Sequence, residues 1–275
     1  MKRVLLAGIA SFLFACGSSV PKAPALRSFN YGSPTTPSAT QAGTASTGES
    51  SLQSIAGVGG QVSTPTTAPT LADELAGGLG SGALAVFEPL PAAVRTQVQN
   101  SALRGVNGAA LTVGNQNCVT TSDTKVSYNN CSYNGDGFNG TLNGSISITP
   151  NQQITWDITY TISGSSQGVS VNGSFHWYGQ VAWTSTTIKG YGRSEYVITA
   201  NGNGQSAEVA YTSGFDVDVT YITTPSYCVA SGTLEIRRVV GGKNGNDTGL
   251  HDGAWKFTWA GNGSACGTVT VATGT

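Results

Sequence analysis

The stretch Thr155-Trp156-Asp157-Ile158-Thr159-Tyr160-Thr161-Ile162 alternates without a break. Trp156, Ile158, Tyr160 and Ile162 fall on one side, and Thr155, Asp157, Thr159 and Thr161 on the other. Successive side chains of a β-strand point to opposite faces, so a period of two predicts a strand with one dry and one wet face. The pattern recurs down the chain. Phe175, Trp177, Val181 and Trp183 alternate with Ser174, His176, Gln180 and Thr184. Phe215, Val217, Val219 and Tyr221 alternate with Asp216, Asp218 and Thr220, and Trp255, Phe257 and Trp259 with Lys256 and Thr258. Strands that are dry on one face only belong to antiparallel sheets, because strands of a parallel βαβ fold are apolar throughout.

Between these runs the turn signal is Asn-Gly, which occurs nine times and suits hairpin turns whose two central residues need positive φ. Asn201 to Gly204 and Asn262-Gly263 read as turns. Asn143-Gly144 and Asn172-Gly173 sit inside alternating runs and read as bulges or close approaches. The expectation is an all-β, antiparallel meander of about eight to ten strands over 105–275. A twisted sheet of that size becomes a curled sheet, half-barrel or sandwich. A transmembrane barrel would also alternate, but the Thr-rich faces and the polar terminus Val271-Ala272-Thr273-Gly274-Thr275 speak against it.

Working outward from the sheet, residues 70–104 read as a short helical segment. Leu71, Leu75 and Leu79 repeat at i, i+4 behind Thr70 as an N-cap, and Val94, Val98 and Leu103 share a helical face behind Pro91. Residues 16–69 are rich in Ser, Thr, Gly, Ala and Pro. So little apolar surface predicts a disordered tether, with an r.m.s. reach of roughly 40 Å.

The chain begins MKRVLLAGIASFLFAC. Lys2 and Arg3 form a positive start, and the apolar run after them is too short to span a bilayer but fits a signal peptide over 1–15. Leu13-Phe14-Ala15-Cys16 resembles the lipobox of bacterial lipoproteins, with Phe14 bulkier than that position usually carries. The resemblance implies cleavage before Cys16 and acyl chains on its sulfur and new amine. It also implies attachment to the cell envelope, with Gly17 matching the pattern of outer-membrane sorting. It covers sixteen residues and says nothing of the folded part.

The 275 residues carry 38 Gly, only 10% charged side chains and a net charge of −1. A weakly acidic, charge-poor chain lacks the basic patch that grips a phosphate backbone, so nucleic acid is not an expected partner. Beyond Cys16 the cysteines are Cys118, Cys131, Cys228 and Cys266. In an exported protein they predict two disulfides, with three possible pairings. The expected pairs are Cys118–Cys131, which closes one hairpin about Thr121 to Thr124, and Cys228–Cys266. The second pair raises a register problem. Direct pairing of 228–240 with 254–266 puts Leu234 and Ile236 on the face opposite Trp255, Phe257 and Trp259. Either a bulge intervenes or Asn262-Gly263 makes Cys266 part of a separate last strand, and the second is expected.

Candidate chemistry is sparse. Gly164-Ser165-Ser166-Gln167-Gly168 matches the G-x-S-x-G of hydrolase nucleophile elbows, but it links two strands with no helix following. His176, His251 and the pair Asp216/Asp218 show no triad spacing. Asn244, Asn246, Asp247 and Asp252, and likewise Asn134, Asp136 and Asn139, are oxygen-rich loops without an EF-hand pattern. No catalytic residue, cofactor or metal is expected. Trp156, Tyr160, Trp177, Trp183, Trp255 and Trp259 fill a core, line a site for an apolar ligand, or form an exposed row that stacks on sugar rings. The expected function is a non-enzymatic, membrane-anchored envelope lipoprotein that binds an apolar ligand or envelope partner or serves structurally. A glycan-binding surface module and a loop-based hydrolase are the alternatives.

Overall fold

The computed structural model describes residues 24–46, 49, 118–122, 125–135, 138–149, 152–166, 168–202, 205–224, 227–241 and 252–275. Ten strands follow one another: β1 (Val119–Ser122), β2 (Lys125–Gly135), β3 (Phe138–Thr149), β4 (Gln153–Ser166), β5 (Val169–Trp183), β6 (Thr187–Gly202), β7 (Gln205–Ile222), β8 (Cys228–Gly241), β9 (Gly253–Ala260) and β10 (Thr268–Gly274). They form one antiparallel sheet in sequence order, and among the described residues β1 does not pair with β10. The expected meander is therefore a single open sheet. Cys16 and the signal peptide, the helical segment 70–104, His251 and most of the loop 242–252 lie outside the described residues.

The register carries the alternation from strand to strand. Trp156 faces Gly179, Gly179 faces Gly192, and Gly192 faces Phe215. A Cβ on Gly179 would strike the Trp156 ring, and one on Gly192 the Phe215 ring. Two aromatic rings thus reach over two adjacent glycines, and fill the space that side chains at those positions of β5 and β6 would take. On the same face Ile154, Trp183, Ile188, Leu234, Phe257 and Trp259 belong to one buried cluster, with Phe257 0% exposed. Tyr160, Ile162, Val171, Phe175, Ile198 and Ala200 form a second cluster nearer the β4–β5 and β6–β7 turns.

Asn143-Gly144 marks a bulge, as its position inside an alternating run predicts. Tyr128 pairs with Gly144 and Cys131 with Leu142, so Asn129 and Asn130 together oppose Asn143. Asn130 adopts φ 51°, its N–H donates to the Asn143 Oδ1 at 2.7 Å, and Gly144 adopts φ 125°. Gly173 marks a close approach instead, since a Cβ there would come within 2.9 Å of the Ile162 Cγ2.

Residues 24–46 and Glu49 correct the reading of 16–69 as a disordered tether: they are fixed on the sheet. The Pro24 carbonyl accepts a hydrogen bond from the buried Thr212 hydroxyl. Leu26, Phe29 and Tyr31 pack with Val239 and Ala254. Residues 30–35 then run along the free edge of β10: Gly32 N–H donates to Thr273 O at 3.1 Å, and Thr35 and Val271 exchange two bonds at 2.9 Å. A capping box opens helix α1 (39–46). Its Ser38 N–H donates to Gln41 Oε1 at 2.9 Å, and the Gln41 N–H donates to Ser38 Oγ at 3.4 Å. Ala45 enters the core cluster, and Trp259 Nε1 donates to Glu49 Oε1 at 2.6 Å. Burial raises the Glu49 carboxyl above its ordinary value, against the lowering effect of that bond. Average composition hid this strap, because three large apolar side chains and a row of backbone bonds suffice to hold it. It also blunts a sheet edge that would otherwise template further pairing.

The cysteines join as expected. Cys118–Cys131 has a Cα separation of 5.1 Å and Cys228–Cys266 one of 5.6 Å. The hairpin closed by the first pair turns between Ser122 and Lys125. The register problem is resolved as the sequence suggests, with a bulge added. Strand β9 ends at Ala260, so Cys266 lies beyond Asn262-Gly263, two residues ahead of β10, while Leu234 pairs Phe257 and Ile236 pairs Trp255. In β8, Ala230 is an extra residue between the pairs Tyr221–Val229 and Thr220–Ser231. The 38-residue separation of the second pair implies about 4 kcal/mol of loop-closure entropy, and the 13-residue separation of the first about 3. Denaturant melts of Cys228→Ala/Cys266→Ala should therefore show a loss of about 4 kcal/mol. A loss under about 1 kcal/mol would mean that the pair contributes little beyond native geometry.

Tyrosine burial sets an upper pH limit. Burial pushes the phenols of Tyr160, Tyr211 and Tyr227 well above their ordinary value, and burial together with the bond to Glu235 does the same for Tyr31. A folded pKa above the unfolded one means that the stabilisation is complete below the unfolded value, about 10, and is lost as pH rises past it. Unfolding is expected to set in above about pH 10, with tyrosinate absorbance rising in step with loss of the sheet signal. Titration of every tyrosine with the sheet intact would contradict this.

Candidate functional site

The same parity that gathers tryptophans on one face gathers ionisable groups on the other. Each group was spaced far from the next in sequence, and sequence reasoning found no convergence among them. The meander register supplies it. Asp157 on β4 stands against Tyr178 on β5, which stands against Arg193 on β6. His176 stands against Glu195, and Tyr191 against Asp216.

The groups interlock. His176 Nε2 lies 2.8 Å from Asp157 Oδ1, and its Nδ1 lies 3.8 Å from Glu195 Oε2. The Tyr178 hydroxyl donates to Glu195 Oε1 at 3.0 Å, and the His176 ring stacks on the Tyr178 ring at 4.5 Å. Burial, then the bond to Glu195, raises the Tyr178 phenol. Arg193 lies over the Tyr191 ring at 5.0 Å and donates from Nη2 to Asp216 Oδ1 at 2.7 Å. Arg237 donates to the other oxygen of Asp216, and its Nε lies 3.3 Å from Glu235, which accepts the Tyr31 hydroxyl. Gly214 lies between the two arginines on β7, where a Cβ would come within 2.8 Å of the Arg193 Cδ. Absence of a side chain there lets both guanidiniums reach one carboxylate.

The strap divides this face. Residues 24–31 cover the part over β7 to β9, through Thr212, Val239, Glu235 and Ala254. The part over β4 to β6 keeps its side chains in contact with solvent: Asp157 is 74% exposed, whereas the arginines are 16% and 14% exposed. The candidate surface is therefore Asp157, His176, Tyr178, Tyr191 and Glu195, backed by Arg193 and Asp216.

Chemically, the surface offers flat rings, carboxylate acceptors and guanidinium donors. Both neighbours of His176 are carboxylates, and among the described residues neither ring nitrogen meets a hydroxyl or thiol that could act as a nucleophile. Asp216 and Asp218 do share a face, but each is neutralised, Asp218 by Lys189 at 3.0 Å. Gly164 to Gly168 forms the β4–β5 hairpin, with Ser166 paired to Val169, and Gly168 at φ 80°. No strand-to-helix elbow exists there. Of the oxygen-rich loops, Asp252 is held by Arg27 at 3.0 Å and accepts the Val240 N–H at 2.7 Å. Among the described residues no group of three or more His, Cys, Asp or Glu is placed to hold a metal ion.

The aromatic stripe lies on the opposite, buried face. Trp156, Trp183 and Trp259 are 3–5% exposed, while Trp177 and Trp255 are partly buried against the same cluster. Trp156 meets Trp177 at 5.3 Å, Tyr160 meets Phe175 at 5.5 Å, and Phe257 meets both Trp255 and Trp259 at 6.3 Å. These are core contacts. Two donors stand out among them, because the indole N–H groups of Trp156 and Trp183 have no hydrogen-bond partner among the described residues.

Fold and surface together define a long-stranded, disulfide-linked antiparallel sheet with a packed aromatic face and a polar, interlocked one. No protein-family model, curated protein or solved structure matches the chain.

Proposed function

We propose that this is a non-enzymatic protein of the bacterial cell envelope, anchored through acylated Cys16, which recognises a glycan on the polar face of β4 to β6. One observation carries the glycan reading: the exposed carboxylate of Asp157 and the half-buried one of Glu195 flank the stacked His176–Tyr178 pair, and Tyr191 lies on the same face of β6. A sugar presents apolar C–H faces, which suit flat rings, and hydroxyls, which suit carboxylate acceptors and guanidinium donors. The Trp row expected as an alternative stacking surface is buried, which moves the glycan reading from tryptophan to His and Tyr.

The test is a glycan array probed with the full chain, followed by titration of the best binder. Tyr178→Ala and Asp157→Asn are each expected to weaken binding about tenfold or more, with both disulfides intact. An array without binders, or variants that bind as the parent does, would remove the glycan reading.

The Trp156 and Trp183 donors, without a partner among the described residues, support a second reading, in which an apolar ligand bearing a carbonyl acceptor sits on the buried face. Native mass spectrometry of the purified protein tests it, since a co-purifying acyl lipid is the expected result and its absence counts against it.

A further inference from the structure

The strap changes the geometry of anchoring. This inference rests on the acylation of Cys16 proposed above. A tether running to residue 69 would let the domain wander roughly 40 Å from the membrane. Instead the chain is pinned at Pro24, whose carbonyl accepts the Thr212 hydroxyl and whose ring would lie 3.3 Å from a Cβ on Gly241. Only eight peptide steps separate Cys16 from Pro24. At full extension they reach about 28 Å. The greatest reach of the short leash is thus less than the average reach of the long one.

The strap also has a direction. Thr35 bridges Val271, Tyr31 bridges Gly274, Arg27 pairs with Asp252, and Pro24 meets Gly241. Read backward, the chain climbs from the middle of β10 toward the end of the sheet where β8 stops and β9 starts. The β4–β5 turn at Ser166/Val169 and the β6–β7 turn at Gly202/Gln205 lie at that end. The Cys228–Cys266 disulfide and the turns beside Trp183 and Ile222 lie at the other. Read toward its start, the chain from Thr35 to Pro24 therefore runs toward the Gly202 end.

We propose that the strap holds the domain close against the lipid surface with its Gly202 end facing the membrane and its Cys228 end facing away. Strand β6, from Thr187 to Gly202, has 16 residues and sets the two ends roughly 50 Å apart. The β4–β6 recognition surface then stands as a wall rising from the membrane, open to material lying along it.

The test uses full-length, acylated protein in phospholipid vesicles carrying an energy acceptor on the lipid headgroups. A donor dye is placed through Asn201→Cys or Ser185→Cys, both at exposed positions. Each supplies the single free thiol once Cys16 is acylated and the other four cysteines are paired. Strong transfer from position 201 and several-fold weaker transfer from position 185 is the expected result. Equal transfer from both, or stronger transfer from 185, overturns the orientation while leaving anchoring intact. A chain that fails to stay on the vesicles, with Cys16 unmodified by mass, overturns the anchoring reading as well. Phe29→Ala with Tyr31→Ala undocks the strap and lengthens the leash. Transfer from position 201 should then fall, with the disulfides retained as the check on folding. Unchanged transfer in that variant would show that the strap does not set the distance.

Discussion

Cys16→Ala is expected either to release the protein into the soluble fraction or to leave it misprocessed, with residues 1–15 still attached. Each acyl chain contributes about 0.8 kcal/mol per buried CH₂, so several chains hold the protein firmly, and the variant keeps none. The folded part should be untouched, because Cys16 lies ahead of Pro24, the first of the described residues, which the Thr212 hydroxyl holds on the sheet. Fractionation and the mass of the mature N-terminus are the measurements. A soluble mature parent chain whose Cys16 carries no acyl group would falsify the anchoring reading.

Gly232→Ala is expected to remove about 3–5 kcal/mol of stability, out of the roughly 5–15 typical of a folded domain. Gly232 follows the bulge at Ala230 and adopts φ 117°, which L side chains rarely take. A Cβ there would fall on the Asp218 carbonyl oxygen and within 2.6 Å of the Val219 Cα. Backbone cannot swing aside as a flexible side chain does, so strain and overlap add. Gly253→Ala is the control: it has nothing within 4 Å and no left-handed φ, and its change should stay within about 0.5 kcal/mol. Urea melts of the two variants decide the matter. Equal stability would mean that β8 can re-register around Gly232 at little cost.

Gly232 also shows where sequence reading reached its limit. Alternation in β8 and β9, taken separately, set Leu234 and Ile236 against the parity of Trp255, Phe257 and Trp259. A disulfide at Cys228–Cys266 sharpened that conflict. Placing Cys266 past Asn262-Gly263 was legible, because Asn-Gly is a turn signal in any context. A bulge was one of the two ways out of that conflict, but its place at Ala230 was not legible, since nothing local separates a strand glycine that bends the chain from one that only makes room. Gly179, Gly192 and Gly214 are of the second kind, and in each case the reason is a neighbouring strand.

The strap was half legible. Ser38-x-x-Gln41 is a capping box visible in the sequence, yet it sits in a stretch whose average composition reads as a tether. Averaging conceals a segment held by Leu26, Phe29, Tyr31 and a few backbone bonds, because those gains depend on a docking surface made by β8 to β10.

By itself the sequence determined what local chemistry and spacing determine: antiparallel strands, their order as a meander and the hairpin turns, while it left three pairings of four cysteines open. Each follows from a period of two or from the short reach between neighbours in the chain. The tertiary structure alone decided which side chains meet across strands. Asp157, His176 and Glu195 are each 19 residues apart in sequence, and neither that spacing nor their types signals contact. Long hairpins with an uninterrupted register bring them to one row, and a one-residue shift in any pairing would have sent them to the other face. That dependence on register is why the fold could be read strand by strand while the recognition surface could not.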